Sequence, residues 1–204
     1  MFGIGGSSGT CVGRIAHSFV FVIPANAGIH RSTAHAFDKW IPAFAGKTEI
    51  WTMRLLCDEM LLRLGRWLRA AGYDTAIAEG GAGDAALIAR CAAEGRTLVT
   101  RDRHLAAQAA GTIPVVRLAE DGVEAQARAL KRALGIDWQR APFSRCLLDN
   151  MPLHPAPPEA LAEVPPASRA ARGPLRRCPQ CGRLYWPGGH VRRMQVRLAA
   201  WNQA

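Results

Sequence analysis

Three aspartates stand where an oxygen-only metal site would be assembled. Asp58 closes the apolar run Leu55, Leu56, Cys57, Asp102 follows Thr97 to Thr100, and Asp84 opens a stretch carrying Leu87, Ile88 and Cys91 at helical spacing. Carboxylates suit Mg²⁺ or Mn²⁺, which prefer oxygen, keep several waters and bridge to phosphate oxygens. Several acids are needed, because one neither neutralises a divalent ion nor fixes its geometry. An ion so held would activate water for in-line attack on a phosphodiester and stabilise the departing oxygen. Glu59 and Asp121 are further candidates. Asp84 and Asp102 also suit helix N-caps. Asp58 is harder to explain structurally, since an unpaired charge between apolar segments is costly.

The positive charge points to the kind of partner. A net charge of +10 and a pI of about 10.2 favour a polyanion, nucleic acid first and an acidic membrane surface second. Arg63, Arg66 and Arg69 share a face of the helix after Asp58, and Arg101 and Arg103 flank Asp102, where they could steady a phosphate. From Gln139 onward there are ten arginines against three acids, with Arg183 next to Tyr185 and Trp186. Basic groups interleaved with aromatics suit backbone contacts and base stacking on unpaired RNA. The candidate substrate-binding residues are therefore Arg66, Arg69, Arg101, Arg103, Arg183 and Trp186; the competing reading is a solvated basic surface with Trp186 in a core.

Of the six cysteines, Cys57 and Cys91 lie in apolar stretches and read as buried thiols. Cys178 and Cys181 have the C-x-x-C spacing of a metal knuckle or a redox pair, and an arginine-rich loop is the wrong setting for the latter. Nothing resembles a secreted disulfide framework, so a reducing cytoplasm is expected. No apolar run approaches the roughly 20 residues that span a bilayer.

The elements that must position these groups alternate. Strand patterns at 54–57, 73–77, 97–100 and 113–118 are separated by helical patterns at 61–71, from Asp84 to a Gly95 cap, a short alanine-rich segment after Asp102, and 123–134 ending at Gly135. This predicts a parallel α/β sheet in a three-layer sandwich, with Pro114 placing the fourth strand at an edge or at its own start. Ligands gather at the C-terminal ends of such strands, where the three aspartates can converge. Residues 53–137 are read as this domain, 138–194 as a second module and 195–204 as a tail. Residues 1–52 read as a non-native or disordered leader: Ile23 to Gly28 is echoed by Ile41 to Gly46, and the first well-patterned strand begins at Met53. A secretory signal and a phosphate loop at Gly46 to Thr48 both lack parts they need.

Several of these motifs, in order, resemble the Mut7-C family of predicted bacterial and archaeal ribonucleases. They are Asp58 to Leu61, Leu64 to Arg69, Gly72 to Thr75, Leu98 to Arg103 and Cys178 to Gly188. The resemblance implies a PIN-like fold with an appended zinc ribbon, a metal-dependent endoribonuclease activity on RNA, and acidic positions at Asp58, Asp84 and Asp102. It also implies a structural zinc site at Cys146, Asp149, Cys178 and Cys181. The sequence departs from the family there, because Asp149 stands where the ribbon would place a cysteine; aspartate can still ligate zinc, with His154 or His190 as substitutes. Two other readings stay open: a non-catalytic RNA- or ribosome-binding module, and a toxin-like nuclease restrained by a protein partner.

Overall fold

The computed structural model describes residues 53–78, 80–170 and 173–203; the reading of a leader at 1–52 lies outside the described residues. Strands β1 (Arg54–Cys57), β2 (Asp74–Ile77), β3 (Thr97–Thr100) and β4 (Val115–Arg117) form a parallel sheet in the order β2-β1-β3-β4. Pro114 immediately precedes β4, an edge strand, so its missing N–H disrupts no ladder. Alternate side chains leave the sheet on opposite faces. Leu55, Cys57 and Val99 meet α1 (Leu62–Ala70), α4 (Val123–Leu134) and α5 (Gly189–Gln203), while Leu56 and Leu98 meet α2 (Asp84–Glu94) and α3 (Arg103–Ala109). The result is a sheet between two helical layers. Among the described residues, no helix is long and apolar enough to cross a membrane.

Two expected boundaries shift. The helix after Asp58 begins with a 3-10 turn at Glu59–Leu61 before α1. Residues 195–203, expected as a tail, complete α5: Leu198 and Trp201 are buried, and Trp201 sits edge-on between Trp67 and Trp138 at centroid distances of 4.8 and 5.1 Å. The three indoles make the first core continuous with the C-terminal helix, and Trp138 belongs to that core too.

Beyond Trp138 lies a small antiparallel sheet, β5 (His154–Pro155), β6 (Arg176–Arg177) and β7 (Leu184–Tyr185), with 3-10 turns at Pro158–Glu163 and Pro166–Ser168 in the proline-rich section.

The end of the parallel sheet away from the aspartates is tied by charge. Arg96, 6% exposed, donates to Asp74 Oδ1 at 2.8 Å, to Glu94 and to the Leu55 carbonyl, while Arg54 reaches Asp74 Oδ2 at 3.2 Å. Burial pushes the Asp74 carboxyl up, but hydrogen bonds from Arg96, Asn150 and Arg54 outweigh it and bring it from 3.8 to about 2. A depressed carboxylate stabilises the fold above its unfolded pKa and loses that contribution as pH falls through the folded value. Asp74→Asn is therefore expected to cost about 1–2 kcal/mol at neutral pH, after discounting for partial solvation. Urea unfolding should show the gap to wild type closing as pH falls from 3.8 toward 2; a gap independent of pH would contradict this.

Candidate active site and a cysteine-aspartate cluster

Asp58, Asp84 and Asp102 line one small pocket at the C-terminal end of the sheet, together with Glu59, Met60 and Ala78. Each acid arrives there differently. Asp58 is 4% exposed, and its burial is compensated by three donors: the Leu61 N–H to Oδ1 at 3.1 Å, the Arg101 N–H to Oδ2 at 3.0 Å, and the Thr100 hydroxyl to Oδ2. Thr100 also accepts from the Asp102 N–H at 2.9 Å, so one fully buried hydroxyl couples two of the three acids. Sequence reasoning missed this role; the signal was a hydroxyl ending an apolar strand directly before the Arg101–Asp102 pair.

Asp102 does cap α3, with Oδ1 accepting from the backbone N–H groups of His104 at 2.6 Å and Leu105 at 3.2 Å. That leaves its second oxygen unused. Asp84 does not cap α2: Gly83 holds that position, and the Asp84 side chain makes no hydrogen bond or ion pair among the described residues. Its carboxylate is therefore open to the pocket. Asp121 is 88% exposed and lies outside the pocket lining, paired with Arg101 at 2.5 Å. The three acids share the pocket without closing into a preformed ligand cluster.

The candidate RNA-contacting residues divide. Arg66 and Arg103 are exposed and have no ion-pair partner among the described residues. Arg101 is held by Asp121, with its Nε buried and unpartnered. Arg183 and Trp186 lie around the small sheet, where Trp186 lines an apolar cleft with Phe143 and Val191, apart from the acidic pocket. Arg69 needs correction: it is 6% exposed, with Nε on the Thr75 carbonyl at 2.7 Å and Nη1 on the carbonyls of Leu147 and Leu148 at 3.0 and 2.5 Å. Three carbonyls oblige it to act as a strut.

What that strut holds is the second constellation. The ligand atoms of Cys146, Asp149, Cys178 and Cys181 all lie within 4.8 Å of one another, and this is the one group of three or more such donors found among the described residues. Tetrahedral bonds of about 2.3 Å to sulfur and about 2.0 Å to oxygen require S···S near 3.8 Å and S···O near 3.5 Å. The Cys146 and Cys181 sulfurs are 3.8 Å apart, and Asp149 Oδ2 is 3.5 Å from Cys146 Sγ and 3.4 Å from Cys178 Sγ. The donor set thus fits a metal ion such as zinc. His154 pairs with Arg177 in the small sheet and His190 is exposed on α5, so neither is among the four donors.

Around the cluster, the Tyr185 hydroxyl donates to Cys146 Sγ at 3.2 Å and accepts from the Leu147 N–H at 3.0 Å. Burial pushes the Cys146 thiol up, but the Tyr185 hydroxyl and neighbouring backbone N–H groups outweigh it and favour the thiolate. The Asp149 carboxylate, hydrogen-bonded by Cys181, is held below its usual range, and the same bond pushes the Cys181 thiol up to about 12. Asn150, in the left-handed region at φ 64°, receives the Thr75 N–H on its Oδ1 and donates to Asp74. Arg69 and Asn150 together occupy the outward backbone groups of Thr75 on edge strand β2, which pins the cysteine loop to the parallel sheet.

A family model described as Mut7-C RNAse domain matches residues 53–198. No curated protein and no solved structure matches the chain.

Proposed function

Since the chain belongs to the Mut7-C RNAse domain family, we propose that it hydrolyses RNA phosphodiester bonds at the pocket of Asp58, Asp84 and Asp102. The observation that carries this reading is Asp84: a carboxylate at the start of α2, without a capping role or a partner among the described residues, lines one pocket with two other acids. Several carboxylates around one pocket can together neutralise a divalent cation, which one alone cannot. A Mg²⁺ or Mn²⁺ ion would be held by oxygens of these three residues and would supply charge neutralisation and a water of lowered pKa.

The chain's own contribution is positioning. Thr100 and the Arg101 N–H fix the rotamer of Asp58, and the cap on α3 fixes Asp102 with one oxygen left for a ligand. Arg103, exposed at the first turn of α3, is placed to meet a phosphate, while Arg101 is held by Asp121. The cysteine-aspartate cluster is read as a zinc-ribbon-like structural site that holds the loop 146–150 against β2.

A second reading, a non-catalytic RNA-binding module, draws on the same geometry: Asp58 is fully supplied with donors and Asp102 has a structural role. Incubating the purified chain with labelled single-stranded and hairpin RNA, with Mg²⁺ or Mn²⁺ and without, separates the two. Cleavage that needs the added divalent ion supports the nuclease; RNA bound and left intact under every condition supports the binding module.

A further inference from the structure

Beside the acidic pocket runs a second, larger cleft of about 550 Å³ between α1 and the loop that carries Asp149 and Asn150. Ala78, just past β2, lines both, so the two adjoin at the C-terminal end of that strand. Four arginines line the cleft, Arg66, Arg69, Arg90 and Arg96, against one acid, Asp149, whose carboxylate lies in the field of Arg69. Arg69, bonded only to neutral carbonyls, contributes fixed positive potential and Arg96 is neutralised by Asp74 and Glu94, whereas Arg66 is exposed and unpartnered among the described residues and Arg90 carries only an exposed pair with Glu94. Two apolar side chains are exposed in the same lining: Leu62 of α1, 41% exposed, and Leu148 of the cysteine loop, 43% exposed. Neither contributes to the buried core.

We infer that this cleft is the track along which one unpaired polynucleotide strand leaves the acidic pocket, its phosphates on Arg66 and Arg90 and its bases against Leu62 and Leu148. The inference rests on the nuclease reading for its direction and deepens it by naming the substrate class. Cationic groups alone would serve any nucleic acid. Apolar side chains set among them favour a strand whose bases are unpaired and free to turn their faces onto the wall. A duplex could place phosphates on Arg66, but its stacked bases would have no contact with Leu62 or Leu148. The track also gives the cysteine loop a function, since Arg69 and Asn150 fix Leu148 and Asp149 as one wall of it.

Binding is tested apart from cutting, with the full chain carrying Asp84→Asn and no added divalent ion. The probes are an end-labelled oligouridylate of about a dozen nucleotides and an RNA duplex of equal length, read by fluorescence anisotropy over a salt series. The single strand should bind more tightly than the duplex. Arg66→Glu with Arg90→Glu should weaken single-strand binding by about tenfold or more, and Arg66→Gln alone should reduce the slope of log K against log salt by about 0.7. Leu148→Ser should weaken the single strand and leave the duplex unchanged. These side chains are exposed, so the variants should fold. Duplex bound as tightly as single strand, or Arg66→Gln changing neither affinity nor slope, overturns the track. A chain that binds in this way but never cuts RNA would leave the track standing and defeat only the nuclease reading.

Discussion

Asp58→Asn is expected to lower the rate of divalent-dependent RNA cleavage by about a thousandfold, the scale seen when one charge-positioning group is removed from a preorganised site. It should also destabilise the fold. All three partners of the carboxylate are donors, the Leu61 N–H, the Arg101 N–H and the Thr100 hydroxyl, and an asparagine amide must present N–H to one side of that set. A donor facing a donor in a site 4% exposed costs about 1–3 kcal/mol. Urea unfolding and a cleavage assay on the same preparation should therefore both move. Wild-type stability in Asp58→Asn would mean that the three hydrogen bonds are not made as described.

The other large effect is expected at the cysteine-aspartate cluster. Cys178 is fully buried and holds one corner of it, and the small sheet beyond Trp138 has only two-residue strands, too short to stand without support. Cys178→Ser should reduce bound zinc from one equivalent to less than about half, and the loss should reach the parallel sheet because Arg69 would lose the fixed carbonyls of Leu147 and Leu148. A destabilisation of about 3–5 kcal/mol is expected, the range for a buried charge left uncompensated. Asp149→Cys should act in the opposite sense, keeping a full equivalent and slowing metal loss to a chelator. Elemental analysis and chelator-release kinetics check both; equal zinc in wild type and Cys178→Ser would remove the site.

The parallel sheet was legible because its signals are local. Leu55 to Cys57 and Leu98 to Thr100 are short apolar runs, Gly95 and Gly135 close their helices in the left-handed conformation as their positions suggested, and Pro114 marked an edge. The meeting of three distant aspartates followed from topology alone. What could not be read is what depends on contacts across the chain. Arg69 shares a helix face with Arg63 and Arg66 by spacing, and only the arrival of Leu147 and Leu148 turns it inward. Trp201 looked like part of a tail because nothing local announces Trp67 and Trp138 as its neighbours. For Asp84 the sequence left a cap and a ligand equally open, and the structure gives the cap position to Gly83.

Asp84 therefore offers the most direct test of the nuclease reading, because its side chain makes no hydrogen bond or ion pair among the described residues that a substitution could break. The measurement is the initial rate of single-stranded RNA cleavage in Mn²⁺ for wild type and Asp84→Asn, with urea unfolding of both. The expected result is a rate lower by about a hundredfold or more at unchanged stability. Equal rates at equal stability would contradict the assignment of this pocket as the site of hydrolysis.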